Sequence, residues 1–155
     1  MKLAISGSPG TGKTTFAKAL GKELNLEVIN EKAFALKNGI GTFNEQDELE
    51  IPIKEFEDKL NNFLNEKDDV IIEGHTLCEA KLQVDKFIII TLNPEKLQLR
   101  LELRDYSAEK VMDNLFCEGI EYCKKHAMRN YKKKLIIIES EDTNKMLGQI
   151  LPKLV

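Results

Sequence analysis

The chain has no tryptophan, only two histidines and only three cysteines. Cys78, Cys117 and Cys123 contain no C-x-x-C pair, and an odd count argues against a closed disulfide framework, so reduced thiols are expected. Cys117 and Cys123 stand six apart in a helical stretch, which does not fit zinc-ligand spacing; apolar packing is the expected role. No apolar run approaches the length of a membrane span, so no membrane association is expected. Net charge is −3 and the isoelectric point about 5.6, with no overall pull toward polyanions. The single basic run, Lys132-Lys133-Lys134, reads as a solvated lead-in to a strand. There is no internal repeat, no low-complexity tract and no linker. With 155 residues, 42% of them hydrophobic, the chain is expected to fold as one globular domain over residues 1–155. Met1-Lys2 runs directly into the first apolar segment, so no targeting segment is expected and the location is read as cytoplasmic.

Five β-rich segments are present: Lys2–Ser6, Glu27–Asn30, Asp69–Glu73, Lys86–Thr91 and Leu135–Glu139. The last three are continuous β-branched runs, as in strands buried on both faces of a parallel sheet. Helical patterns lie between and after them, over Thr14–Leu24, Ile53–Asn65, Pro94–Arg104, Ala108–Asn130 and Asn144–Val155. Asn93-Pro94 and Ser107 read as helix starts. The alternation predicts an α/β fold, three layers around a five-stranded parallel sheet. Two stretches interrupt it. Lys37–Pro52, with the acidic cluster Glu45–Glu50, is a poor helix and a poor strand, and Leu103–Ser107 breaks a helical pattern.

Between the first strand and first helix lies Gly7-Ser8-Pro9-Gly10-Thr11-Gly12-Lys13-Thr14, which fills every fixed position of G-x-x-x-x-G-K-[ST]. Glycines let successive N–H groups turn inward toward phosphate oxygens, and the helix that follows adds unpaired N–H groups. Gly10, Thr11, Gly12, Lys13, Thr14 and Thr15 are therefore the candidate triphosphate-binding residues. Lys13 is expected at the β- and γ-phosphates and the Thr14 hydroxyl on Mg²⁺. The chain is expected to bind a nucleoside triphosphate with its divalent ion.

Glu73, at the end of Val70-Ile71-Ile72, is the candidate second metal anchor, through water because most such sites use aspartate. His75 follows two residues later. It either orients a water or acceptor oxygen near the γ-phosphate or hydrogen-bonds a loop. Arg100 and Arg104 share a helix face, placed to close over a polyphosphate and stabilise charge in phosphoryl transfer.

The P-loop resembles that of adenylate kinases. Glu73-Gly74-His75, the segment Arg100–Val111 with Arg104-Asp105-Tyr106-Ser107, Asn114 and Cys117-Glu118 resemble one atypical branch. That branch is the short adenylate kinase-like ATPases: the sixth adenylate kinase type of animals and the ribosome-biogenesis NTPase Fap-seven of yeast, with archaeal relatives. The resemblance runs from Met1 to about Tyr131. It implies sheet order 2-3-1-4-5, a monophosphate-binding insertion over about 30–50 and a short lid over about 103–113. It also implies transfer from ATP to AMP or another nucleoside monophosphate, with ATP hydrolysis beside it. Its partners would be a small-subunit ribosomal protein of the S-eleven family and the pre-ribosomal small subunit during late maturation. Departures are visible: Asn30–Pro52 contains no arginine, only Lys32 and Lys37, and the residue directly after His75 is Thr76 and not the arginine of standard adenylate kinases. Two other readings stay open, an ATP-switched assembly factor with little kinase activity and a small-metabolite kinase.

Overall fold

The computed structural model describes residues 1–7, 11–92, 94–104, 107–112, 122–139 and 142–154, apart from the side chains of 94, 97 and 100. Seven strands occur among them: β1 (Lys2–Ser6), β2 (Glu27–Asn30), β3 (Thr42–Phe43), β4 (Leu49–Glu50), β5 (Val70–Glu73), β6 (Lys86–Thr91) and β7 (Leu135–Glu139). Five form one parallel sheet in the order β2-β5-β1-β6-β7, which is 2-3-1-4-5 when sheet strands alone are counted. The helices are α1 (Lys13–Leu24), α2 (Glu31–Lys37), α3 (Ile53–Asn65), α4 (Pro94–Leu103), α5 (Tyr122–Tyr131) and α6 (Thr143–Ile150). The fold is the expected three-layer α/β arrangement.

Strand periodicity divides the core in two. Ala4, Ile72, Phe87 and Ile89 point to one face, where they meet Phe56, Leu60 and Leu64 of α3 and Ala127 and Tyr131 of α5. Leu3, Ile5, Ile71, Ile88 and Ile90 point to the other, against Phe16, Ala17 and Leu20 of α1 and Met146 and Ile150 of α6. This two-sided burial explains why the central strands read as unbroken apolar runs. Cys78 and Cys123 are buried, not joined in a disulfide, and both pack in the first cluster. Cys117 lies outside the described residues.

Several boundaries differ from expectation for local reasons. Lys132-Lys133-Lys134 forms an exposed 3-10 turn leading into β7, as read. The last helix stops at Ile150 and passes into a 3-10 turn over Leu151–Leu154, where Pro152 has no N–H to continue the ladder. The helix expected over Ala108–Asn130 is present at 108–112 and again as α5; residues 113–121 lie outside the described residues. Ser107 does open the first piece, its hydroxyl accepting from Lys110 N at 3.2 Å.

The larger correction concerns the stretch after β2. Asn30 caps a short helix, α2, by accepting Ala33 N at 3.0 Å, although no helix was expected there. Thr42-Phe43 and Leu49-Glu50 then pair antiparallel, so Lys37–Pro52 is a small hairpin and not a structureless loop. Asn44 closes its turn by accepting Gln46 N and Glu48 N, which lets Asp47 take a left-handed φ of 57°.

Candidate active site

The carboxyl ends of β1, β2 and β5 bring the site together. Gly12 caps α1 with φ 89°, a conformation open to glycine at no steric cost, and Lys13 and Thr14 begin the helix directly after it. Thr11 is fully buried and Thr15 is exposed on α1. Gly10 lies outside the described residues.

Glu73 is 2% exposed, so it is not a solvent-facing strand end. Its Oε2 accepts the Thr14 hydroxyl at 3.1 Å, and its Oε1 accepts Asn30 Nδ2 at 2.6 Å. Asn30 thus has two tasks, capping α2 with its oxygen and steadying Glu73 with its nitrogen. Thr14 and Glu73 present hard oxygen donors, a set that suits Mg²⁺ when phosphate and water complete the shell. Among the described residues no cluster of three or more His, Cys, Asp and Glu could hold a metal unaided.

A cleft of about 390 Å³ opens over these groups. Lys13, Thr14, Glu73 and His75 line it together with Arg104, so five of the expected residues share one cavity. Arg104 follows α4, its N–H bonded to Leu101 O at 3.1 Å. Arg100 lies in α4, but its side chain is outside the described residues. Burial lowers the Lys13 ammonium below its usual value; Glu73 and Glu31 oppose that shift and Arg104 reinforces it. A partly desolvated cation held this way gains from an arriving polyanion.

The rest of the cleft carries three further carboxyl groups. Glu31, Asp47 and Glu48 line it with Asn30, Lys32 and Lys110. Glu48 Oε1 lies 3.9 Å from Lys110 Nζ, linking the hairpin turn to the segment after Ser107. Lys37 instead lines a separate hollow beside Phe34 and Phe63. Reading the sequence missed Glu31, which is 2% exposed. Its Oε1 accepts Thr76 N at 2.9 Å and also the Thr76 hydroxyl, while Oε2 faces His75 Nδ1 at 3.4 Å. Burial, the largest influence, pushes the Glu31 carboxyl up to about 7. The His75 imidazole is held below its ordinary value, first by loss of solvent in the cleft and then by Lys13. The ring remains about half exposed.

A glycine-rich loop entering α1 at the carboxyl edge of a 2-3-1-4-5 parallel sheet defines a P-loop fold of the kinase type. Solved structures agree: a shikimate kinase from Bacteroides thetaiotaomicron superimposes with TM-score 0.66 at 18% identity, covering 99% of this chain and 97% of that one. A gluconokinase from Sinorhizobium meliloti gives 0.64 at 13% identity, covering 99% and 90%. The AAA domain family matches residues 3–121, and the chain belongs to it. Two archaeal relatives, each named "Putative adenylate kinase", extend the match to the whole chain. The protein of Thermococcus kodakarensis is 30% identical over 155 residues, covering 100% of this chain and 84% of its own. That of Pyrococcus abyssi is 32% identical over 156 residues, covering 100% and 82%. Among the described residues no helix is long and apolar enough to cross a membrane.

Proposed function

We propose that this protein is a phosphotransferase of the adenylate kinase type, moving the γ-phosphoryl group of ATP to AMP or another nucleoside monophosphate and also to water. The observation that carries the reading is the convergence of Lys13, Thr14, Glu73, His75 and Arg104 on one cleft in a chain whose archaeal relatives carry adenylate kinase names. The backbone around Gly10, Thr11 and Gly12, with the start of α1 at Lys13, Thr14 and Thr15, binds the triphosphate. Lys13 and Arg104 offset charge on the transferring group, and Arg100 joins them from α4. Thr14 and Glu73, the latter through water, hold Mg²⁺, which supplies charge neutralisation across the phosphates when bound. Residues of about 30–50 receive the acceptor and those of about 103–113 close over the donor. Phosphoryl transfer asks mainly for positioning and electrostatic stabilisation, and the cleft offers both.

The test is ADP formation from Mg-ATP with and without AMP, followed by a screen of monophosphates. Stimulation by a monophosphate is expected. ATP turnover that no monophosphate increases would remove the kinase half and leave an ATPase.

A second reading is favoured by the acidic acceptor wall, where Glu31, Asp47 and Glu48 stand against Lys32 and Lys110. In it, ATP turnover drives a binding cycle on the small ribosomal subunit through a protein of the S-eleven family. Capture of that protein by the chain, compared across nucleotide states, decides it; nucleotide-independent capture removes the switch. A small-metabolite kinase would need cations that clamp an acidic acceptor, and the same wall disfavours it.

A further inference from the structure

Glu31 and Glu73 are the buried carboxylates among the described residues, and the roles above use only Glu73. Glu31 opens α2 and leans across the backbone of residue 74. A Cβ added to Gly74 would lie 2.4 Å from both Cβ and Cδ of Glu31, so the acid occupies the space that a side chain there would take. It is thereby seated between Glu73 and His75 on the same turn. Both Thr76 donors, the backbone N–H and the hydroxyl, end on Oε1. That fixes the rotation of the carboxyl group and leaves Oε2 for His75 Nδ1, 3.4 Å away. The approach is long for a hydrogen bond, as catalytic contacts often are before substrate closes a cleft.

We propose that Glu31 is a positioning residue for ATP hydrolysis: its Oε2 accepts Nδ1–H of His75, leaving Nε2 with its lone pair turned toward the cleft. The inference rests on the hydrolytic half of the function proposed above. In the step it serves, the water oxygen bonds to the γ-phosphorus and the bond from that phosphorus to the bridging oxygen breaks. ADP departs with the electron pair, and the water proton passes to Nε2. The resulting imidazolium gives its Nδ1–H to a carboxylate, and the proton later returns to solvent. An ionised carboxylate beside Nδ1 selects the tautomer and supports the charged ring.

Glu31→Gln tests this sharply. Because Thr76 directs two donors at Oε1, the carbonyl of glutamine must stay there and its NH₂ must face Nδ1. Nδ1 then has to accept, and the proton moves to Nε2. For this variant kcat for ATP hydrolysis falls roughly tenfold or more. KM for ATP stays within about twofold, since Glu31 has no assigned phosphate contact. In a His75→Ala background the same substitution adds nothing. Nitrogen NMR gives a readout that a purely structural role would not move. With only two histidines in the chain, the His75 signals are identifiable by comparison with His75→Ala, and they should change from the Nδ1–H to the Nε2–H tautomer. Unchanged turnover, equal loss in the His75→Ala background or an unchanged tautomer each overturns the proposal. Should Glu31→Gln fail to fold by circular dichroism, Thr76→Ala removes one anchor and is judged by the same kcat and nitrogen readouts. The NMR comparison needs no nucleotide, so a wild-type protein without ATPase activity would sink the functional reading separately.

Discussion

On the proposed function the cleft has a donor side and an acceptor side, and the two are built by different means. The donor side rests on β1, β5 and α1, held between two fully packed faces of a parallel sheet. Its charges are matched: the half-buried Lys13 feels Glu73 and Glu31, and Thr14 is bonded to Glu73. The acceptor side is a seven-residue helix and a hairpin of two-residue strands, bearing Asp47 and Glu48 and no arginine between 30 and 52. Rigid elements set the donor geometry, while turn residues and one ion pair set the acceptor geometry. Donor-side chemistry should therefore fail outright when a residue is removed, and acceptor-side chemistry should be tunable.

The largest expected effect lies on the donor side. Lys13→Ala should lower phosphoryl transfer and hydrolysis by about a hundredfold or more, roughly 3 kcal/mol of lost transition-state stabilisation. The fold should stay intact, since losing a desolvated ammonium offsets part of the cost of leaving Glu73 and Glu31 without that cation. Near-wild-type turnover in a coupled ADP assay would erase the contrast between the two sides.

Glu31 links the two sides, and pH should reveal it. Its carboxyl is raised from 4.5 to about 7, so between those values the folded state keeps a proton that the unfolded chain has lost. The stabilisation is fully present below pH 4.5 and is lost as pH rises through about 7. Glu31→Gln removes this dependence. Its stability relative to wild type should climb across that window, by up to about 3 kcal/mol for such a shift. His75 has the opposite sign, because its lowered value makes its contribution vanish as pH falls. Denaturant titrations of both single variants at several pH values should slope in opposite directions.

These differences also explain what could be read from sequence. The sheet strands were legible because β1, β5 and β6 are buried on both faces, which demands uninterrupted apolar runs. Lys13 and Thr14 were legible because the phosphate-binding turn fixes residue types at fixed spacing. The burial of Glu73 and its bond to Asn30 were not, since they depend on β2 pairing with β5 across 43 residues of chain. Helix α2 had a readable signal, an asparagine at a strand end just ahead of Glu31 and an apolar pair at Phe34 and Ala35, but seven residues carry little periodicity. Glu31 gave no signal because its partners, Thr76 and the bare backbone of Gly74, are visible only in three dimensions.

A smaller effect tests that contact. Gly74→Ala should destabilise by about 2 kcal/mol, as overpacking in an enclosed site does. Pairing it with Glu31→Gly should return most of the loss, because the Glu31 Cβ and carboxyl group that the new methyl meets at 2.4 Å are then both gone. Additive losses in thermal or denaturant unfolding would mean that residue 74 is constrained by something other than Glu31.

The smallest change belongs to the hairpin turn, where the acceptor wall is least constrained. Glu48 is partly exposed and 3.9 Å from Lys110, a spacing at which solvent screens most of the attraction. On the proposed function a monophosphate entering the cleft would meet that carboxylate and compete with Glu48 for the Lys110 ammonium. Glu48→Gln should lower KM for AMP by about threefold, the order of one screened charge contact, and leave KM for ATP and the AMP-independent hydrolysis rate unchanged. Asp47→Asn should move KM for AMP in the same direction by less, because Asp47 lines the wall without a paired cation in the described ion pairs. An equal fall in KM for both nucleotides would mean that the two walls share one field, and the division between a fixed donor side and a tunable acceptor side would not hold.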